Sequence, residues 1–376
     1  MLMLATTAAM IEQFNKNNIL ILEEMGYEVH VTGNWNEGNP ISNERLDEFK
    51  EWIATHGGKY FHIPALRKPT AFKSNICAYK KVIELIHENK YEFIHCHTPI
   101  GSVIGRLAAH RTHTKIIYTA HGFHFYKGAP LVNWLLYYPV EWFLSRWTDM
   151  LITINKEDYN RAKKCFSMKK IEYVPGVGVD TEQFQPGLCD RTKKRKELGV
   201  QDDEIMLLSV GELIPRKNHK IVIEALKNIE RQNIKYFICG QGELAEELKK
   251  NVQELKLEKR VYLLGYRRDI SELCQAADVY IFPSLQEGLP VALMEAMACE
   301  LPIVCSEIRG NTDLIENEKG GFLVAATSKD AYERRIELLA CDAELRKEMG
   351  RYNLKHIKNY DIRSSEMYMR TVYQDI

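Results

Sequence analysis

Short apolar runs that end in a glycine- or proline-containing turn, each followed by a helical pattern, recur along the chain. Clear examples begin at Ile205, Tyr236, Val261 and Val279. Such runs are typical of buried parallel strands, because helices cover a parallel sheet on both faces. The recurrence predicts an α/β fold of repeated strand–helix units, in which ligands bind at the carboxyl ends of the strands.

Length and charge limit the possible functions. A chain of 376 residues that is 45% hydrophobic is too long for one ordinary core and predicts two domains. Lys plus Arg and Asp plus Glu both total 51, so the chain lacks the positive field that nonspecific nucleic-acid binding requires. We therefore expect no nucleic-acid partner.

The cysteines and the apolar segments indicate a cytoplasmic protein. The 9 cysteines are odd in number and scattered, and none forms a C-x-x-C pair, which favours reduced thiols and no structural zinc site. The apolar start, Met1–Met10, lacks a basic region and is interpreted as the first core strand, not as a signal peptide. No run reaches the roughly 18 apolar residues of a membrane span.

The first strand–helix unit excludes one common class of enzyme. A nicotinamide-binding domain needs a G-x-G-x-x-G turn directly after the first strand, but residues 5–11 contain no glycine. The next segment, residues 33–75, is mixed and polar and is interrupted by Gly57, Gly58, Pro64 and Pro69. A dehydrogenase is therefore not expected.

The stretch Val279–Cys299 predicts a strand, a polar loop and a helix that Pro290 opens at its first position. Gly288 lets the backbone approach a ligand whose negative charge suits the helix N-terminus. Glu287 then lies in the loop and Glu295 about two turns into the helix, so that both carboxylates can accept hydrogen bonds from sugar hydroxyls. The alternative is an ordinary helix N-terminus with one acid near the helix dipole and one acid solvated.

This Glu-x7-Glu spacing, with Gly-Leu-Pro after the first Glu, resembles the signature of the retaining glycosyltransferases of family 4. The resemblance implies that Glu287 faces a donor sugar, that the amides of Gly288 and Leu289 meet the sugar and diphosphate, and that Glu295 holds the ribose. It also implies the GT-B architecture, two facing Rossmann-like domains with an interdomain cleft and a C-terminal helix that crosses back. We expect an N-terminal acceptor-binding domain, residues 1–175 with 355–376, and a nucleotide-sugar-binding domain, residues 176–354.

A second anchor follows the strand that begins at Ile205. Gly211 starts a tight turn, and the adjacent cations Arg216 and Lys217 precede a helix, where they could neutralise a diphosphate without a metal. Lys217 matches the lysine of the family, whereas Glu212 stands where the family commonly has arginine. Whether Arg216 supplies that guanidinium stays open, and two exposed cations beside a helix are the alternative.

Two later turns complete the expected donor site. Gly240 and Gly242 follow a strand where a nucleotide could approach the backbone, although Gly-x-Gly alone is a weak signal. By the resemblance, the backbone after Gly265 meets the base, which puts Tyr266 and Arg267 beside uracil.

Three histidines lie on or directly after strands of the first half. His121 comes directly after the strand Lys115–Ala120, on the edge where ligands bind, and the resemblance puts it close to the donor sugar. His95 and His97 share one face of a strand, as a metal pair would, but no third ligand has suitable spacing. No metal site is predicted.

Residues 123–147 are unusually aromatic and are broken by Pro130 and Pro139. They predict either a helix packed into the first domain or an apolar face towards membrane and isoprenoid. The block resembles the bacterial capsule and exopolysaccharide subgroup, which implies an undecaprenyl-diphosphate-linked sugar acceptor and permits peripheral contact with the cytoplasmic membrane. The basic group Arg67, Lys68 and Lys73 is either a solvated rim or a contact for the acceptor phosphates.

The sequence therefore predicts a retaining transferase that uses a nucleotide sugar, most simply a UDP-sugar, and no other cofactor. His121, Lys217 and Glu287 are the expected catalytic residues. Two alternatives remain: a non-hydrolysing UDP-sugar 2-epimerase of the same architecture, and a noncatalytic sugar-nucleotide binder.

Overall fold

A computed structural model describes residues 1–376 and contains two fully parallel sheets. Contacts divide the chain into two compact units, residues 1–177 with 363–376, and residues 178–362. Residues 355–362 thus belong to the second unit, and the return to the first begins at Arg363. No helix is both long and apolar enough to cross a bilayer.

The sheet of the first unit has seven strands in the order β3-β2-β1-β4-β5-β6-β7. The direction of strand addition reverses between β1 and β4, and such a switch point opens a crevice at the carboxyl ends of the two strands. The strands are β1 (Leu2–Thr7), β2 (His30–Asn34), β3 (Lys59–His62), β4 (Phe93–His97), β5 (Lys115–Ala120), β6 (Met150–Thr153) and β7 (Lys170–Tyr173).

Helices cover both faces of this sheet. Alternate β1 side chains divide between two cores, Met3 on one face and Leu2 and Leu4 on the other, as the two-residue period of a strand requires. The helices are α1 (Ala8–Phe14), α2 (Lys16–Glu24), α3 (Asn43–Thr55), α4 (Phe72–Asn89), α5 (Pro99–Thr112), α6 (Leu131–Leu144) and α7 (Lys156–Cys165).

The sheet of the second unit has six strands in the order β10-β9-β8-β11-β12-β13, so its switch point lies between β8 and β11. The strands are β8 (Ile205–Val210), β9 (Ile234–Cys239), β10 (Val261–Gly265), β11 (Val279–Phe282), β12 (Ile303–Ser306) and β13 (Gly321–Val324). The helices are α8 (Arg191–Glu197), α9 (His219–Asn228), α10 (Ala245–Glu254), α11 (Ile270–Ala276), α12 (Val291–Ala298), α13 (Asn311–Leu314), α14 (Lys329–Cys341) and α15 (Ala343–His356).

The last helix, α16 (Ile362–Gln374), packs on the first unit. Met369, Val372 and Tyr373 are buried in the core that also contains Met3. The Tyr373 hydroxyl lies 2.9 Å from Nδ1 of His95, so the C-terminal helix is tied to the central strand β4.

The structure adds to the sequence analysis in one segment and corrects it in another. The segment 33–75, to which the sequence analysis assigned no element, contains α3 and β3. Pro139 lies inside α6 and does not interrupt it.

Candidate active site

Three charged side chains of the second unit meet at its switch point, where the turn after β8 faces the loop after β11. Lys217 Nζ lies 2.8 Å from Glu287 Oε1, and Arg216 Nη1 lies 2.9 Å from the same oxygen. The Lys217 and Glu287 side chains are only 13% and 10% exposed. Two cations thus surround one carboxylate, and the cluster keeps a net positive charge for an anionic ligand.

The local sequence holds this cluster in place. Pro215–Lys217 forms a short 3₁₀ turn, and Asn218 ends it in the left-handed conformation, which asparagine tolerates well. The Asn218 amide donates to the carbonyls of Pro283 and Ala326, at 3.1 and 2.9 Å, so the two loops are bonded together. A Cβ at Gly211 would lie 3.3 Å from the Lys217 side chain, which explains the glycine there.

Free backbone amides lie beside the cluster. The N–H groups of Gly288 and Leu289 donate to no acceptor within the protein, and the first-turn amides of α12 have no partner within their helix. Such a set of N–H groups at a helix N-terminus favours an anion.

Pro290 precedes α12 as its N-cap and is not the first helical residue, which corrects the sequence prediction. Its ψ of 118° is extended, and its carbonyl accepts the N–H of Met294, as an N-cap carbonyl does. The first amide of the helix is therefore that of Val291.

Glu295 begins the second turn of α12, whereas the sequence predicted that it lies about two turns into the helix. No hydrogen bond or ion pair reaches its carboxylate, and no bond joins it to Lys217. Burial raises the pKa of Glu295 to about 7. A half-buried carboxylate without a partner is ready to accept hydrogen bonds from a ligand.

Gly240 and Gly242 are required by packing inside the second unit. A Cβ at Gly240 would lie 1.8 Å from the carbonyl oxygen of Gly211, and one at Gly242 would lie 2.4 Å from that of Leu213. The Gly240 N–H also donates to the carbonyl of Gly265. The glycines let three successive turns stack closely at the carboxyl edge of the sheet.

Tyr266 and Arg267 differ in how far they are available to a ligand. The Tyr266 side chain is 59% exposed. Arg267 donates to Asp269 at 2.8 Å and to Glu197 at 3.0 Å, and the bond to Asp269 holds the pKa of that carboxyl well below its usual range. The tyrosine ring is thus open for stacking, whereas the guanidinium of Arg267 is already bonded.

In the first unit, His121 lies at the carboxyl end of β5 and belongs to a row of three histidines. Its Nε2 is 3.2 Å from Nδ1 of His97, and the centroid of the His97 ring lies 4.2 Å from that of His95, with the two rings tilted by 40°. Burial lowers the pKa of His121 to about 4. Both ring nitrogens of His95 are bonded, to Tyr373 and to Thr119, so this histidine has no nitrogen left for a metal.

A cavity of about 260 Å³ opens at the switch point of the first unit, between β1 and β4. Thr98 has φ 66° and ψ 149°, an uncommon conformation for a β-branched residue, and its hydroxyl bonds that of Thr6 at 2.6 Å. Arg67 reaches the rim and donates to Thr7. The cavity is lined by Thr6, Arg67, Pro69, Thr98, Pro99, Ile100, His124 and Tyr137.

Some residues of these sites carried no signal in the sequence. Arg309 donates to the Glu287 carbonyl at 3.1 Å from a position 22 residues away. Thr6 and Thr98 are 92 residues apart. The one local signal was Asn218, directly after the cations, because asparagine is common where a turn needs the left-handed conformation.

The two halves of the chain match two family models. Residues 19–183 match the model described as Glycosyltransferase Family 4, and residues 190–356 match Glycosyl transferases group 1. EpsD of Bacillus subtilis (strain 168), named as a glycosyltransferase, is 37% identical over 340 residues, which cover 89% of this chain and 85% of EpsD. The chain belongs to the family 4 glycosyltransferases.

Two further relatives carry more specific names. An Escherichia coli UDP-Gal:α-D-GlcNAc-diphosphoundecaprenol α-1,3-galactosyltransferase is 34% identical over 280 residues, 72% of each chain. CapM of Staphylococcus aureus, a capsular polysaccharide biosynthesis glycosyltransferase, is 23% identical over 358 residues, 92% of this chain and 88% of CapM. The predicted resemblance to the capsule and exopolysaccharide group is confirmed.

The fold is shared with solved structures. The crystal structure of Anabaena HepE in complex with UDP superposes with a TM-score of 0.80 at 19% identity and covers 100% of both chains. The predicted pair of Rossmann-like domains of the GT-B class is thus confirmed.

Proposed function

We propose that this glycosyltransferase moves a sugar from a UDP-sugar to an undecaprenyl-diphosphate-linked acceptor with retention of anomeric configuration. One observation supports it most strongly: Lys217, Arg216 and Glu287 cluster beside the free amides of Gly288 and Leu289 at a switch point. UDP as the nucleotide is favoured by the UDP complex of HepE and by the name of the Escherichia coli relative.

The diphosphate is assigned to the positive end of this cluster. Arg216, Lys217 and the amides of Gly288 and Leu289 bind its oxygens, and Gly211 leaves room for the lysine stem. Arg216 contacts the same Glu287 oxygen as Lys217, so it can provide the guanidinium that Glu212 does not.

The nucleoside extends from the diphosphate along the carboxyl edge of the second sheet. Glu295 accepts the ribose hydroxyls, Tyr266 stacks on the uracil, and the backbone at Arg267 meets the edge of the base. Gly240 and Gly242 shape this surface through the turns that they allow to pack. The guanidinium of Arg267 stays with its carboxylates and keeps the turn rigid.

Catalysis requires stabilisation of the departing diphosphate. The bond from the anomeric carbon to phosphate breaks while the acceptor oxygen attacks on the same face, and the acceptor proton passes to the leaving phosphate oxygen. Lys217 and Arg216 balance the negative charge that grows on the leaving group. Glu287 and His121 orient the donor sugar; Glu287, held by two cations, serves better as a hydrogen-bond acceptor than as a covalent nucleophile.

The acceptor is assigned to the cavity of the first unit. Arg67 lines this cavity, and Lys68 and Lys73 are exposed nearby in the chain, so all three can approach a diphosphate. A lipid-linked acceptor is favoured because the Escherichia coli relative is named for transfer to a diphosphoundecaprenol-linked sugar.

The experiment supplies UDP-, GDP- and ADP-sugars with undecaprenyl-diphosphate-linked acceptors and measures nucleotide release, with product configuration read by NMR. We expect UDP release only with a UDP-sugar and an acceptor present, and an α-linked product from an α-linked donor. Lys217→Ala should abolish most release, whereas Lys220→Ala, at an exposed lysine on α9, is the matched control.

Two outcomes would refute the proposal. Conversion of UDP-GlcNAc to its 2-epimer without acceptor would identify an epimerase. Donor binding, seen as a rise in melting temperature, with no UDP release for any acceptor would identify a noncatalytic binder.

A further inference from the structure

Helix α6 presents its apolar side chains outward. Along its solvent side, six large side chains are between 43% and 80% exposed: Leu131, Val132, Leu135, Leu136, Trp142 and Phe143. We call this set the α6 surface. The inner side of the helix is apolar as well, since Trp134, Tyr137 and Tyr138 pack against the core. The helix is therefore apolar on both sides, whereas a surface helix ordinarily exposes polar side chains to solvent.

Buried contacts fix the orientation of the helix. Glu141, its one charged residue, points inward, and its Oε2 lies 2.8 Å from Nη1 of the fully buried Arg106. The Tyr118 hydroxyl lies 3.3 Å from the other carboxylate oxygen. Rotating the helix to hide its leucines would leave Arg106 buried without its carboxylate, with only Ser102 oxygens as acceptors, which is strongly destabilising.

The α6 surface is flanked by cations. Lys127 lies four residues before the helix and Arg146 two residues after it; both are exposed and neither side chain forms an ion pair, while the backbone N–H of Lys127 donates to Glu157 at 2.7 Å. The Arg146 guanidinium stacks 4.4 Å from the Trp142 ring, next to Phe143. Helix α6 exposes no acidic side chain, so the surface combines apolar, aromatic and positively charged groups.

We propose that the α6 surface docks on an anionic phospholipid bilayer. The leucines insert into the boundary between headgroups and acyl chains, Trp142 and Phe143 lie at the interface, and Lys127 and Arg146 meet lipid phosphates. A second copy of the chain fits this surface less well, since the same helix of a copy would offer no exposed carboxylate to pair with Lys127 or Arg146.

Docking also suggests how a lipid-linked substrate is reached. Tyr137, on the opposite side of α6, lines the cavity assigned to the acceptor, so that cavity adjoins the helix that contacts the bilayer. This link rests on the proposed function, whereas docking itself does not.

The test is flotation of the whole protein with vesicles of neutral phosphatidylcholine, alone or mixed with anionic phosphatidylglycerol, without donor or acceptor. We expect binding to the anionic vesicles that weakens with added salt. Leu135→Glu with Leu136→Glu should lower vesicle partition by about 100-fold, because two large apolar side chains no longer insert. Arg146→Glu should reduce the preference for anionic vesicles.

The matched control is Leu188→Glu with Leu338→Glu, at exposed leucines of the second unit, and it should float like the wild type. Circular dichroism checks that each variant is folded. Equal flotation of the Leu135/Leu136 variant and the wild type would overturn the proposal. So would a wild-type dimer in light scattering that the same variant dissociates, because a second copy would then cover the surface. Because the vesicles contain no substrate, the outcome is independent of the transferase reaction.

Discussion

The buried carboxyl of Glu295 offers a quantitative test of how the stability of the second unit depends on pH. Burial moves its pKa from the ordinary 4.5 to about 7, and each pH unit of such a shift corresponds to about 1.4 kcal/mol. Between these two values the folded protein binds more protons than the unfolded chain, so the free energy of unfolding falls as pH rises. Above pH 7 the ionised carboxylate therefore destabilises the unit by about 3 kcal/mol relative to pH 4.5.

Glu295→Gln removes this ionisation and keeps the shape of the side chain. Near pH 4 the wild type and the variant should be about equally stable, because the carboxyl is then mostly protonated in both the folded and the unfolded chain. Near pH 8.5 the variant should be more stable by up to about 3 kcal/mol. Urea unfolding should be followed by far-UV circular dichroism, because all five tryptophans precede residue 178 and report on the first unit.

The control is Glu307→Gln, which makes the same substitution at an exposed carboxylate of the same unit and leaves Glu295 in place. A stability difference at Glu295 that is constant from about pH 4 to 8.5 would refute the argument from burial. If Glu295 holds the ribose as proposed, UDP should bind more tightly as pH rises through 7, because hydroxyls donate better to the charged carboxylate, and calorimetry should detect proton release on binding.

Three further changes test other parts of the structure. Lys217→Ala should slow transfer at saturating donor by about 100- to 1000-fold, measured as UDP release, because the leaving group and Glu287 both lose a cation. An unchanged rate would show that Lys217 does not stabilise the leaving group. Gly240→Ala should lower the free energy of unfolding by at least about 2 kcal/mol in urea titration, since its Cβ would overlap a carbonyl oxygen, and a neutral effect would contradict the close packing. Glu141→Leu should lower the free energy of unfolding by about 3–5 kcal/mol in tryptophan-monitored unfolding, because it leaves Arg106 charged and buried. Adding Arg106→Met should recover most of that loss. Losses that simply add in the double variant would contradict the interaction between the two residues.

The repeated strand–helix units could be predicted because buried parallel strands read as continuous apolar runs. The segment 33–75 shows the limit of that signal. Helix α3 buries only Leu46, Phe49 and Ile53 among many charged residues, and β3 is a largely exposed edge strand. Their apolar pattern is too sparse to recognise, and the structure forms because a neighbouring strand and core are available to them.

In the candidate site, too, some residues could be predicted from the sequence and others could not. Its strand-end residues, such as Lys217, Glu287 and His121, could be selected because position after a strand and residue type are both visible in the sequence. The partners that arrive from distant segments could not, since the sharing of one Glu287 oxygen by two cations depends on tertiary packing. The outward face of α6 was also undetermined, because composition does not reveal that Glu141 finds Arg106 35 residues earlier.

The charges of the two units suggest how the proposed reaction is divided between them. In the second unit, Arg216 and Lys217 concentrate positive charge where the diphosphate is assigned. In the first unit, burial holds the pKa of His121 at about 4 and that of His95 at about 3, so both rings are neutral at pH 7. A neutral His121 adds no positive charge that would oppose an oxocarbenium-like sugar, yet it can still hydrogen-bond a sugar hydroxyl. The electrostatic stabilisation is therefore assigned to the leaving-group side, and the first unit contributes orientation and binding of the acceptor.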